Sequence, residues 1–210
     1  AGRRIAFVAR VVAAFDDPRR QRRMQQRGNR GVLAVLVERR GGDGTDLVSM
    51  LANGEATKDM PTISHLGNLL LLIVGGNDTT RNTMTGSVYG LNKYPDQYDK
   101  LTADPGLIST FVPEIIRWQT PLSYMRRTAT KDCTIRDKQI LEGDQVLMWY
   151  ISANRDEDVF VDAERIDLDR SNADRQLAFG YGIHFCMGSR LAELQLRILW
   201  EEVLARFERI

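Results

Sequence analysis

Phe179-Gly180-Tyr181-Gly182-Ile183-His184-Phe185-Cys186-Met187-Gly188 decides how this chain is read. A lone cysteine stands among glycines, with an aromatic residue and a histidine upstream. Directly after it, Leu191, Leu194, Leu196, Ile198, Leu199, Val203, Leu204 and Phe207 predict a helix over 188–209. A metal takes the thiolate, not the thiol. The start of a helix offers unpaired amide N–H groups and the positive end of its dipole, so it favours negative charge on a sulfur placed there. Gly180, Gly182 and Gly188 permit tight turns and close approach of the backbone to a flat ligand. The segment therefore reads as a thiolate aimed at a metal, with His184 able to donate a hydrogen bond to a carboxylate on the ligand. An inert cysteine in a glycine-rich turn is the alternative.

The remaining composition bounds the answer. The 210 residues suffice for one domain with a core, and a net charge of +1 gives no reason to expect nucleic acid. The local cluster Arg19, Arg20, Arg22, Arg23, Arg27 and Arg30 reads as a solvated face. The longest apolar run, Leu69 to Val74, is far below the roughly 18 residues of a membrane span. Two cysteines so far apart make no disulfide framework, which fits a cytoplasmic protein. Cys133 is expected to be a small buried hydrophobe. The chain opens on Ala-Gly-Arg-Arg without a Met.

Hydrophobic periodicity predicts a mainly helical chain with a small β portion. Helices are expected at 5–15, 32–40 and Asp46–Leu51, then over a long segment that Pro61 opens, from Thr62 to Asn92. The middle of that segment, LLLLIV, is apolar on every side and predicts burial all round. Shorter helices follow at 95–102 and about 106–118. Strands are expected at Arg127–Ile135, Lys138–Leu141 and Gln145–Tyr150. Residues 154–178 have no period, and such a long loop is either functional or packed by its own contacts.

Two further patterns carry chemistry. Gly75-Gly76-Asn77-Asp78-Thr79-Thr80 puts two glycines inside the long helix, each costing roughly 1 kcal/mol relative to alanine. The Thr79 hydroxyl is placed to bond the Gly75 carbonyl and bend the helix, leaving a groove for a small molecule. Asp78, beside an apolar run, must be hydrated or paired, and with Thr79 it could relay protons. Glu114-Ile115-Ile116-Arg117 places an acid and a base one turn apart, where they can form an ion pair.

Together these stretches resemble the cytochromes P-450. The cysteine segment fills every position of the family's Phe-x-x-Gly-x-(His/Arg)-x-Cys-x-Gly loop, and Gly75–Thr80 fills its (Ala/Gly)-Gly-x-(Asp/Glu)-Thr-(Thr/Ser) motif. The resemblance runs from roughly residue 45 to the end. It implies the C-terminal half of that fold: long central helix, Glu-x-x-Arg helix, short strands, cysteine loop and final helix. Residues 1–210 would then be a partial single catalytic domain, lacking the N-terminal half and the extreme C-terminus, and the piece alone is expected to hold haem poorly. The resemblance further implies haem b, with Cys186 as the iron ligand, His184 and Arg127 (Arg126 being the alternative) on the propionates, and Phe179 and Gly75 beside the cofactor. Asp78 and Thr79 would deliver protons. Glu114, Arg117 and Arg165 would form a structural triad, although Ala163 and Ile166 stand where the family has Pro and Phe. Leu122 and Met125 would line the substrate pocket. The implied activity is a haem-thiolate monooxygenase acting with O₂ on an apolar substrate, similar to the bacterial alkane ω-hydroxylases, with the terminal methyl of a medium-chain alkane as target. A fatty-acid or terpene hydroxylase, or a non-catalytic haem protein, is the alternative. Electrons would come from NADH or NADPH through a ferredoxin reductase and a ferredoxin, docking near Arg190 and Arg197.

Overall fold

A computed structural model describes residues 31, 34 and 37–210. The helix expected at 5–15 and the arginine cluster lie outside the described residues; of the helix expected at 32–40, residues 34 and 37–39 are described as helical. Two compact units are present, one ending at Gly75 and one spanning Gly76–Ile210.

In the first unit, helix α1 (Leu47–Asn53) starts where Asp46 caps it. The Asp46 carboxylate accepts from Val48 N at 3.0 Å and Ser49 N at 3.1 Å, and Ser49 Oγ donates to it at 2.7 Å. These bonds, the Ser49 hydroxyl foremost, hold the Asp46 carboxyl below its ordinary value. Helix α2 (Thr62–Lys93) begins in this unit and continues into the next. Its Leu66 and Leu69 pack on buried Ala52. The apolar middle is not buried all round: Leu71 and Ile73 are 68% and 63% exposed, and Leu70 and Val74 are exposed as well. Helical pattern alone reports that a surface wants covering, and the residues described in this unit cover only the Leu66–Leu69 side.

The second unit is built around α4 (Ile108–Gln119), which follows α3 (Pro95–Ala103) and a 3₁₀ turn at Pro105–Leu107. Phe111 and Ile115 of α4 are fully buried, and Leu91, Tyr98, Leu101, Ile166, Leu168 and Trp200 join them in one core. Trp200 comes from the last helix, α6 (Ser189–Arg206); its ring meets Phe111 edge-on at 5.4 Å, and its indole N–H donates to Ser87 Oγ at 2.9 Å. The buried indole thus keeps the partner it needs.

Strand β1 (Tyr124–Thr128) pairs antiparallel with β4 (Gln145–Trp149), and β2 (Cys133–Ile135) pairs with β3 (Lys138–Ile140). The single strand expected over Arg127–Ile135 is therefore two. The chain leaves the first ladder at Ala129, whose N–H donates to Asp144 O, and Asp132 turns to accept from Glu142 N. Cys133 is exposed, not buried, because its two-stranded ribbon has both faces largely open. A short helix α5 (Tyr150–Ala153) follows β4 directly. Residues 154–178 hold one 3₁₀ turn, Ala173–Arg175, yet bury Phe160, Ala163, Ile166, Leu168, Ala173 and Ala178. The aperiodic segment is thus tightly packed, with Ile166, Leu168 and Ala178 set into the core of this unit.

Candidate active site

Three backbone hydrogen bonds shape the cysteine loop. Gly180 N donates to Leu177 O at 2.9 Å, Cys186 N to Phe179 O at 2.9 Å, and Phe185 N to Gly182 O at 3.0 Å. Gly180 and Gly182 have φ of +75° and +70°, a conformation that glycine adopts without steric cost. Half-buried Cys186 lies two residues before Gly188, the N-cap of α6. A Cβ built on Gly188 would sit 3.9 Å from Cys186 Sγ, so the sulfur lies at the entry to the helix. Phe179 packs on the core and meets Phe185 edge-on at 6.1 Å, while His184 is exposed.

The β1–β4 register sorts the other candidates. Side chains alternate across a strand, so Met125 and Arg127 share a face with Met148 and Val146, their cross-strand partners. Arg126 lies on the opposite face with Tyr124 and Trp149, whose rings are 4.9 Å apart, and donates to Gln145 Oε1. The two neighbouring arginines are thus separated: Arg127 is half-buried beside Met125, and Arg126 is exposed. Leu122 precedes β1 and is 37% exposed. On α2, Asp78 is paired with Arg81 at 2.9 Å, both exposed, which answers how its charge is accommodated. The Thr79 carbonyl accepts from Thr83 Oγ1 at 2.9 Å. Cβ atoms at Gly75 or Gly76 would meet nothing within 4 Å, so those two glycines border open space.

Glu114 and Arg117 form the pair their spacing predicts, fully buried and bidentate: Nε to Oε2 at 2.7 Å and Nη2 to Oε1 at 2.8 Å. Arg117 Nη1 also donates to Asn154 O at 2.7 Å and Ala163 O at 2.8 Å, and Nη2 to Arg165 O at 3.0 Å. All five N–H donors of the guanidinium are therefore used. The third side chain is Arg170, not Arg165. Arg170 Nε lies 3.1 Å from Glu114 and is buried, and the Glu114 carboxylate also accepts from Asp167 N at 3.0 Å. Arg165 turns outward to pair with Asp96 and lies over the Tyr94 ring. It contributes its carbonyl instead. The sequence offers four arginines in the aperiodic segment 154–178, Arg155, Arg165, Arg170 and Arg175, and no period says which one points inward. Asn154 carried no sequence signal: it is a polar residue directly after the short helix α5, here completely buried.

Cys186 is the thiol the loop presents, and among the described residues no group of three or more His, Cys, Asp or Glu could hold an ion. A single thiol at a helix mouth suits a metal that brings its other ligands with it, as a porphyrin does. Open space at Gly182, where a Cβ would meet nothing within 4 Å, leaves room for a flat group against the backbone. The residues present fit a haem.

Comparison with known proteins agrees. Residues 106–209 match the family model Cytochrome P450. Linalool 8-monooxygenase of Pseudomonas putida is 43% identical over 176 residues. The chain belongs to the cytochrome P450 family. The match to Linalool 8-monooxygenase covers 83% of this chain and 43% of that protein. A methyl-branched lipid omega-hydroxylase of Mycobacterium tuberculosis is 38% identical over 209 residues, covering 95% of this chain and 49% of that one. Among solved P450 structures, Cytochrome P450-153 from Novosphingobium aromaticivorans superposes with a TM-score of 0.81 at 49% identity, over 89% of this chain and 46% of that one. The chain thus spans about half the length of the relatives it matches. Among the described residues no helix is long and apolar enough to cross a membrane.

Proposed function

We propose that this chain is the C-terminal part of a single catalytic domain whose whole protein is a haem-thiolate monooxygenase. The reaction inserts one oxygen atom of O₂ into an unactivated C–H bond of an apolar substrate. The observation that carries the reading is the cysteine loop, closed by Cys186 N on Phe179 O at 2.9 Å with its sulfur at the mouth of α6. Cys186 would ligate haem b, Arg127 and His184 would take the propionates, and Phe179 and Gly75 would lie beside the ring. When bound, the haem supplies oxygen activation, which thiolate donation favours. Thr79 and Asp78 hold and pass protons toward the oxygen; Asp78 must turn from Arg81 to do so, and its exposure leaves room for that. Met125 and Leu122 give an apolar lining. Electrons come from NADH or NADPH through ferredoxin partners in the cytoplasm, and Arg190 and Arg197 on α6 would meet an acidic carrier.

The substrate we favour is the terminal methyl of a medium-chain alkane. A lipid or terpene hydroxylase is the second reading, favoured by the omega-hydroxylase and linalool names of the relatives. The ferrous–carbon monoxide spectrum of the full-length parent tests the class: a thiolate-type Soret band is expected, and a histidine-type band would overturn it. Thr79→Ala should divert electrons to peroxide without product. Unchanged product yield would point to a different proton route. Octane, a fatty acid and limonene offered in turn rank the substrates, and absence of 1-octanol refutes the alkane reading.

A further inference from the structure

Arg117 is the centre of the buried brace, yet its five donors go to Glu114, Asn154, Ala163 and Arg165. None of these residues is in the cysteine loop. Something must carry the position of the brace to Cys186. We propose that Asn154 is that positioning residue, a step that rests on the reading of Cys186 as the iron ligand.

Every polar group of Asn154 is used, and each bond reaches a different part of the site. Its carbonyl accepts from Arg117 Nη1 at 2.7 Å. Its Nδ2 donates to Thr120 Oγ1 at 2.9 Å. Its Oδ1 accepts from Leu177 N at 2.7 Å. Its own N–H donates to Tyr150 O at 2.9 Å, closing α5. Leu177 is the root of the loop, because its carbonyl holds Gly180 N and the next turn brings Phe179 O to Cys186 N. The path from brace to sulfur therefore runs Arg117, Asn154, Leu177, Phe179, Cys186 through hydrogen bonds and three residues of backbone. Thr120 fixes the amide from the other side. It ends α4 in the left-handed region at φ +40°, unusual for a β-branched residue, with its hydroxyl donating to Arg117 O and accepting from Asn154. Tyr150 of the same short helix supplies a second contact. Its hydroxyl lies 3.4 Å from where a Cβ on Gly180 would be. Asn154 is completely buried, so water cannot replace any of these bonds.

The test uses the full-length parent with haem bound. Asn154→Leu keeps the branched shape of the side chain with bulkier ends and removes both side-chain bonds. Thr120→Val leaves Asn154 in place but removes the partner of its amide, together with the hydroxyl's own bond to Arg117 O. Ferrous–carbon monoxide spectra and ferric–ferrous midpoint potentials are read beside far-ultraviolet circular dichroism. Asn154→Leu should lose most of the thiolate-type band while keeping its helical signal, and Thr120→Val should lose a smaller share. Both potentials should shift from wild type. Wild-type spectra and potentials in both variants would overturn the proposal, as would a lowered unfolding midpoint with no spectral change. If Asn154→Leu does not accumulate folded, Thr120→Val alone decides, with a wild-type spectrum and potential counting against Asn154. A wild-type protein without a thiolate-type band would instead overturn the ligand assignment of Cys186.

Discussion

Replacing Glu114 with glutamine should be among the most damaging conservative changes this chain can take. The carboxylate receives Arg117 Nε and Nη2, Arg170 Nε and Asp167 N. Its two guanidinium partners are both buried. One negative charge thus serves two positive ones. In Glu114→Gln the charge is gone, and the new NH₂ faces donors. Removing one partner of a buried pair costs roughly 3–5 kcal/mol, because the other charge stays uncompensated. Against a typical stability of about 5–15 kcal/mol that is a large share. At about 2–4 °C per kcal/mol for a chain of this size, the melting temperature should fall by roughly 6–20 °C. Arg170→Met should cost less, about 1–3 kcal/mol. It leaves Glu114 and Arg117 matched and forfeits mainly the bonds of Arg170 to Glu114 and to Val161 O at 2.7 Å. The double variant should be less destabilised than the sum of the two, since the surplus cation has gone. Urea unfolding followed by fluorescence of the buried Trp118 and Trp200 reads all three. A Glu114→Gln midpoint within about 1 kcal/mol of wild type, or strict additivity in the double variant, would refute the charge argument.

Three further outcomes are expected. Ser87→Ala strands the Trp200 indole N–H in the core and should destabilise by about 1–3 kcal/mol, measured by chemical unfolding. Gly90→Ala would set a Cβ 2.6 Å from Ile166 Cδ1 and 3.2 Å from Trp118; overpacking of about 1–3 kcal/mol outweighs the helix gain of about 1 kcal/mol, and Ile166→Val, which lacks that carbon, should relieve it in a double-mutant cycle. The Gln97 amide foremost, and Arg165 beside it, hold the Asp96 carboxyl below its ordinary value. The stability this lends is fully present above the ordinary aspartate pKa of about 3.9 and is lost as pH falls through the lower folded value. Asp96→Asn should therefore flatten the acid limb of a stability–pH curve, by no more than about 1 kcal/mol for so exposed a pair.

The helices were legible because their apolar residues recur with a helical period, and Glu114 and Arg117 because they stand three positions apart on one such helix. The short helix near Asp46 and the opening of α2 after Pro61 follow from local chemistry that a sequence states outright. What was not legible depends on partners distant in the chain. Whether Leu71 is covered is a property of what lies against it, not of its own helix. Arg165 and Arg170 look alike in sequence, and only the path of residues 154–170 turns one inward and the other toward Asp96. Asn154 gave no signal, because an asparagine at the head of an aperiodic segment reads as a turn residue until its four bonds are seen.

Arg117 recognises its surroundings mainly through carbonyl oxygens of residues 154, 163 and 165. A carbonyl is the same whatever side chain it carries. Ala163 and Ile166 can therefore depart from the family's Pro and Phe without removing any acceptor from the guanidinium. What the arrangement cannot absorb is a change of count. Adding or deleting one residue between Asn154 and Arg170 would slide every acceptor past its donor at once. The exposed positions of this segment should vary among relatives while its length stays fixed, the reverse of an ordinary surface loop.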